Sequence, residues 1–328
     1  MTLVASGEKV LQRDGSAPAF VFAGYALAVA ALCAIPILGS ESWIIRGVDI
    51  LIFVLLASSL NLIVGGAGMI SMCHAAFFAI GGYAFGVVQQ RSGLDGNVGF
   101  LAASGAALTV SLLVSLVIGI LVVRVTQAYF IMLTLALGQL VYVVIWKWHD
   151  VTGGDDGLIG IAPPAWLSST TRFYYFTLVI VLASMALLYQ VRRSPFGCTL
   201  GALRDNPIRT AYIGVPVRAF RLIAFIIAAG FASIAGVLEA MFHRGIFPNA
   251  GSFITSADAL VVIVLGGVQA FWGPAIGAVV FKVLTYALPL LTDYWVGCLG
   301  LIILLVALII PSGLYDLLGR THAKGRHP

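Results

Sequence analysis

Arg192-Arg-Ser-Pro-Phe-Gly-Cys-Thr-Leu-Gly-Ala-Leu-Arg-Asp-Asn-Pro-Ile-Arg-Thr-Ala-Tyr-Ile-Gly-Val-Pro-Val-Arg-Ala-Phe-Arg221 is the stretch from which the fold is read. It is a polar segment of about thirty residues inside a chain that is 61% hydrophobic and 9% charged. Arg192, Arg193, Arg204, Arg209, Arg218 and Arg221 stand there against a single acid, Asp205. Ser194-Pro-Phe-Gly197 breaks the helix that precedes it, because proline cannot continue the ladder and glycine relaxes the backbone. Thr199 to Asp205 is then expected as a short helix and Asn206-Pro207 as a turn. Ile208 to Ile213 is expected as a second short helix with Gly214 as its C-terminal cap. The bland reading is a solvated basic loop. The ordered Pro/Gly punctuation favours a docking surface for a cytoplasmic partner.

Everything around that segment is apolar. A mean hydropathy of +1.06 over 328 residues excludes a soluble globular domain. A bilayer core takes about 20 apolar residues per helix. Apolar runs bounded by Gly, Pro or charge give ten spans, near 19–38, 44–64, 69–88, 99–123, 128–146, 173–191, 222–243, 257–270, 273–290 and 295–312. The third and eighth are interrupted by Gly. The expected class is an all-α polytopic membrane protein of about ten transmembrane helices. Its parts are an N-terminal tail 1–18, a transmembrane body 19–318 with loops at 147–172 and 192–221, and a C-terminal tail 319–328. Met1 to Pro18 precedes an apolar span without a small-residue cleavage pattern, so that span reads as an uncleaved helix.

Charge sets the direction. With both termini inside, the cytoplasmic side holds Lys9, Arg13, Arg124, the six arginines of the polar segment, Arg320, Lys324 and Arg326. Glu41, Asp95, Asp150, Asp155, Asp156, Asp258 and Asp293 fall outside. Loops rich in Lys and Arg stay cytoplasmic, so an even number of spans is required. The pI of about 9.1 therefore reports topology rather than nucleic-acid binding. Cys33, Cys73, Cys198 and Cys298 are scattered, with neither a disulfide framework nor a metal-ligand spacing. Neither a phosphate-binding Walker sequence nor a paired catalytic acid, nucleophile or metal cluster is present, and no cofactor is implied. Thr152-Gly-Gly-Asp-Asp-Gly157 lacks the alternating acids and closing Glu of a calcium loop and reads as a tight turn meeting an external partner.

Glycines interrupt the membrane spans in two places. One is Asn61-Leu-Ile-Val-Gly-Gly-Ala-Gly68 with the following Ser71-Met-Cys-His-Ala-Ala-Phe-Phe-Ala-Ile-Gly-Gly-Tyr83; the other is Leu265-Gly-Gly-Val-Gln-Ala-Phe-Trp-Gly-Pro274. Backbone freed at membrane depth must be buried in protein or line a cavity. Gly65, Gly66, Gly81, Gly82, Gly266 and Gly267 are therefore candidates for a translocation path. The alternative for each glycine is close helix packing. His74 is either a packed, hydrogen-bonded histidine or a binding group on the same path. Lys282 lies near the middle of the ninth span, where a cation costs at least about 2.5–3.5 kcal/mol, so it faces protein or water. A lumen-facing role and a structural tie both stay open. Asp49, three residues after Arg46, and Glu239 with His243 at i, i+4 read as local pairs near an interface.

Leu60-Asn-Leu-Ile-Val-Gly, His74 to Tyr83, Gly153-Gly-Asp-Asp-Gly-Leu158 and Ala202-Leu-Arg-Asp-Asn-Pro-Ile-Arg209 resemble the membrane permeases of branched-chain amino acid ABC importers. Gly214, Ala224-Phe225, Gly236 and Leu265-Gly-Gly267 add to the likeness, which runs from about residue 45 to 315. The resemblance implies a type II importer-like permease with interrupted helices in a bacterial inner membrane. It implies a second, homologous permease, two cytoplasmic ATPase subunits and a periplasmic binding protein as partners. It also assigns Arg204, Asp205, Asn206, Arg209 and Gly214 to a coupling loop that meets the ATPase. Met72-Cys-His departs from the Leu-Gly-His common in the family. The expected substrate is a branched-chain or related hydrophobic amino acid; urea and short-amide permeases share these motifs, so a small neutral amide is the alternative. An ion-coupled secondary transporter, a channel and a membrane scaffold are the rival classes.

Overall fold

The computed structural model describes residues 32, 33, 36, 39–92, 96–125, 127–310 and 313–316. The expected tails and nearly all of the first expected span lie outside the described residues. The chain divides into two units, Met1–Gly47 and Val48–Pro328. In the first, the Arg46 guanidinium lies 5.6 Å from the centre of the Trp43 ring, a cation–π contact.

The elements run α1 Glu41–Asn61, a π-turn Leu62–Gly66, α2 His74–Arg91, α3 Gly96–Val122, α4 Gln127–Lys147, the short α5 His149–Thr152, and β1 Leu158–Ile159. Then come α6 Thr170–Arg193, α7 Pro195–Asp205, α8 Pro207–Tyr212, α9 Val217–Phe242, β2 Gly245–Ile246, α10 Phe253–Gly266, α11 Gly273–Ala287 and α12 Trp295–Ile309. Among the described residues six helices are long and apolar enough to cross a membrane: Glu41–Gly66, Gly96–Val122, Ala128–Lys147, Thr170–Arg193, Val217–Phe242 and Gly273–Leu290. Phe253–Gly266 and Trp295–Ile309 are apolar but shorter, so the described residues do not supply the ten long spans expected.

The third expected span, α2, has the length but too little greasy surface. It is packed among helices instead, with every residue from His74 to Ala79 buried. A helix wrapped in protein is selected for close contact rather than for lipid. Gly81 and Gly82 of α2 meet α9 so closely that a Cβ on Gly82 would stand 2.9 Å from the Gly236 carbonyl oxygen. Small residues are what permit such a crossing.

α3 shows the same principle as a ladder. Ala103, Ala107, Ser111, Ser115 and Gly119 recur every fourth residue and are all buried. Ser111 donates to the Ala229 carbonyl at 3.4 Å, and Ser233 of α9 donates to the Ala107 carbonyl at 3.2 Å. The opposite face of α3 exposes Leu101, Leu113, Val117 and Leu121. Large apolar side chains outside and small ones inside invert the pattern of a water-soluble helix, as a lipid-facing helix requires.

The all-helical expectation needs one amendment. β1 and β2 form a two-stranded antiparallel pair, Leu158 opposite Ile246 and Ile159 opposite Gly245. This pair ties the loop after α4 to the loop after α9. The tight turn before it is built on left-handed glycines, Gly153, Gly154 and Gly157. At Gly157 a Cβ would come within 2.5 Å of the Ile246 carbonyl oxygen, so the turn and the strand pair depend on each other.

Candidate functional site

The polar segment holds its two helices with one device used twice. Ser194 ends α6 in an extended conformation and caps α7, its hydroxyl accepting the Gly197 N–H at 3.4 Å. Asn206 caps α8 by accepting the Arg209 N–H at 2.9 Å. Pro195 and Pro207 follow at the first helical position, where a missing N–H is harmless and the fixed φ suits the helix. Such a cap stabilises a helix end by about 1 kcal/mol. The first helix therefore starts at Pro195 and not, as expected, at Thr199, because Ser194-Pro ends one helix and begins the next.

At the far end the Val215 N–H returns to the Thr210 carbonyl at 3.4 Å and the Gly214 N–H to the Ala211 carbonyl at 3.0 Å. With Gly214 at φ +88° this is the paired-bond helix stop that the glycine suggested. α8 leans on α7 through Thr210, whose hydroxyl lies 3.0 Å from the Ala202 carbonyl. Its outer side leaves Ile208, Tyr212 and Ile213 exposed at 69, 87 and 75%. Asp205, Asn206, Arg209 and Gly214 are exposed with them.

Arginines from this segment reach both glycine interruptions. Arg204 donates to the Gly65 carbonyl at 2.9 Å and also pairs with Asp205 at 3.1 Å. Arg192 donates to the Gln269 carbonyl. The interruptions themselves touch: Asn61 donates to the Ala270 carbonyl at 3.2 Å, and a Cβ on Gly65 would collide with the Val268 carbonyl oxygen. Gly68 takes φ +69°, and a Cβ there would press to 2.9 Å from Arg204 Cγ. Carbonyls released where helices break are thus capped by guanidinium groups, as buried backbone acceptors require. Gly266 and Gly267 close the second interruption, Gly266 facing Gly273 across the α10–α11 turn and Gly267 at φ +114°.

Not all of the expected path residues meet there. Gly81 and Gly82 sit in the α2–α9 crossing. His74 is fully buried, its Nε2 2.8 Å from Ser59 Oγ and its ring edge-on to Phe77. Ser59 Oγ also lies 2.7 Å from the Leu56 carbonyl, which can only accept. The serine proton therefore goes to Leu56, and the ring carries its proton on Nε2.

Lys282 lies elsewhere, on a cavity of about 490 Å³ near the end of α9 remote from α8. Its Nζ is 2.9 and 3.1 Å from the two Asp49 oxygens and 4.7 Å from the centre of the Phe53 ring, and Tyr286 donates to the same carboxylate. The sequence paired Asp49 with its helical neighbour; the tertiary structure gives its carboxylate to Lys282, 233 residues away. The i, i+4 pair of Glu239 and His243 is present at 3.3 Å. That hydrogen bond, against a smaller opposing effect of burial, raises the His243 pKa above its ordinary 6.5. Asp258 lines the same cavity. The charge count set Asp258 on the outer side, at the start of the expected span 257–270. The helix begins earlier, because Ser252 caps α10 by accepting the Thr255 N–H at 3.4 Å, which puts Asp258 in the helix's second turn.

Asn61 and Arg192 join this network on contacts that their sequence surroundings do not announce. An amide beside a glycine pair and a cation at a helix end are visible in the chain, but neither names the distant carbonyl that it meets.

The family described as "Branched-chain amino acid transport system / permease component" matches residues 47–308. The high-affinity branched-chain amino acid transport system permease protein LivM of Salmonella typhimurium is 27% identical over 291 residues, which is 80% of this chain and 68% of that one. LivH of Escherichia coli, with the same description, is 25% identical over 293 residues, 83% of this chain and 92% of that one. The galactose/methyl galactoside import permease protein MglC of Salmonella typhimurium is 26% identical over 211 residues, 60% of this chain and 62% of its own length. No solved structure matches.

Proposed function

The chain belongs to the family of permease components of branched-chain amino acid transport systems, and from that premise we propose that it is the membrane subunit through which an ATP-driven importer passes branched-chain amino acids. ATP would be hydrolysed on two separate cytoplasmic subunits, a second permease would complete the passage, and a periplasmic protein would deliver the solute. The polar segment 192–221 faces the cytosol in this reading, with both termini on the same side.

One observation carries the mechanical part: a short helix with an exposed apolar side is wired to both glycine interruptions. Ile208, Tyr212 and Ile213 on and just after α8 offer a face for the ATPase, ringed by Arg209, Asn206 and Asp205. A push on α8 passes to α7 through Thr210, then through Arg204 of α7 to Gly65, and across the Ser194 junction to Arg192 at the end of α6 and so to Gln269. Closure of the ATPase pair would move the two interrupted segments together, because Asn61 already joins them. Gly65, Gly66, Gly266 and Gly267 are the hinges of that movement. Gly81, Gly82 and His74 hold α2 as the fixed wall beside it, and Lys282 belongs to the chamber at the other end.

The reading is tested with the assembled importer in proteoliposomes. Leucine, isoleucine or valine added with the binding protein is taken up only with ATP, whereas urea is not. Arg204→Met and Tyr212→Ala lower solute-stimulated ATP hydrolysis by about tenfold, the effect of losing one charge-assisted hydrogen bond or one apolar anchor. Uptake on an ion gradient without ATP, or undiminished coupling in both variants, would count decisively against the proposal.

A further inference from the structure

The cavity that holds Lys282 sets an apolar wall opposite charged groups of both signs. Its volume, about 490 Å³, lies within the range of small-molecule sites. One side is apolar and packed: Ile52, Phe53, Leu56 and Phe78 are each 9% exposed or less. The other carries charge in an unequal arrangement. Asp49 is matched by Lys282, and Glu239 by His243. Asp258 also faces the space; among the described residues its carboxylate makes neither a hydrogen bond nor an ion pair within contact distance, and Lys282 acts on it only across the cavity. A half-buried carboxylate that touches no cation directly leaves room for a cationic group between it and the distant Lys282. Lys282 adds the complement. Two of its three N–H groups serve Asp49, so one remains for an anionic group.

We propose that this chamber receives the ammonium group of the transported solute on Asp258, with its aliphatic body on the Ile52–Phe53–Leu56 wall and Lys282 facing its carboxylate end. Asp258 is thereby the residue that separates zwitterions from neutral amides, since an uncharged amide does not satisfy a carboxylate in this way. The inference rests on the importer reading for the idea that a solute passes here. The chemistry of the chamber stands on its own residues.

The test uses the full chain in lipid nanodiscs, with the native cysteines replaced by serine and Ala250→Cys placed on the cavity wall. A cationic thiol reagent reacts about tenfold faster than an anionic one of the same size, and Asp258→Asn removes most of that preference. Millimolar L-leucine and 3-methylbutylamine slow the reaction, 4-methylpentanoate, which lacks the amine, does not, and Asp258→Asn weakens protection by about tenfold while Asp258→Glu retains it. Equal protection by 4-methylpentanoate, or protection that survives Asp258→Asn, overturns the proposal. Should the cysteine-free chain fail to insert, thermal shifts of the native chain and of Asp258→Asn with the same three probes separate the same outcomes. Amine protection that depends on Asp258, in an importer that takes up no leucine, sinks the branched-chain reading and leaves the ammonium site standing.

Discussion

Replacing Lys282 with methionine leaves the Asp49 carboxylate without its cation, and the cost is bounded by the geometry. The two side chains are 19 and 20% exposed and meet at 2.9 and 3.1 Å. An exposed pair is worth about 0–1 kcal/mol, whereas removing one partner of a fully buried pair costs about 3–5 kcal/mol. A mostly buried pair that keeps the Tyr286 hydroxyl on Asp49 falls between, so Lys282→Met is expected to destabilise the chain by about 2–3 kcal/mol. Asp49→Asn strands the ammonium and costs a similar amount, although the Phe53 ring still faces the cation. The double variant removes both charges and keeps an acceptor for Tyr286. Its cost should be about 1 kcal/mol, giving a coupling of roughly 3–5 kcal/mol. Equilibrium unfolding of the purified chain in mixed micelles, followed by circular dichroism, measures all four corners of the cycle. If the two single losses add to the double within about 0.5 kcal/mol, the pair contributes nothing specific and the reasoning fails.

Gly236→Ala drives a methyl group into the Phe78 backbone and should cost about 1–3 kcal/mol or prevent assembly, while Gly105→Ala meets open space and should stabilise α3 by about 0.5–1 kcal/mol; thermal denaturation separates them. His243 has a pKa raised by Glu239, so its contribution is complete below the unfolded pKa of about 6.5 and is lost as pH rises through the higher folded value. Melting temperature against pH should therefore fall across that window in the native chain and flatten in Glu239→Gln. Cys198 is exposed on α7, so an impermeant maleimide should label it in inside-out vesicles and spare it in right-side-out ones; the reverse pattern would invert the proposed orientation.

The local punctuation of the polar segment was open to reading because its causes are local. Ser194-Pro and Asn206-Pro cap and start helices within three residues, and Gly214 stops one through bonds spanning five. The apolar runs announced membrane spans for the same reason, since every turn of such a helix meets the same solvent. α2 escaped that rule because its neighbours are helices, and hydropathy measures only fitness for lipid.

What only the tertiary structure decided is which distant groups share a site. The Arg204–Gly65, Arg192–Gln269 and Lys282–Asp49 contacts join residues 139, 77 and 233 positions apart. A guanidinium seeks any unsatisfied carbonyl and an ammonium any carboxylate, so residue type states the need and not the partner. Helix packing chooses among the candidates, and here Gly82, Gly236 and the small-residue ladder of α3 set how closely the helices come.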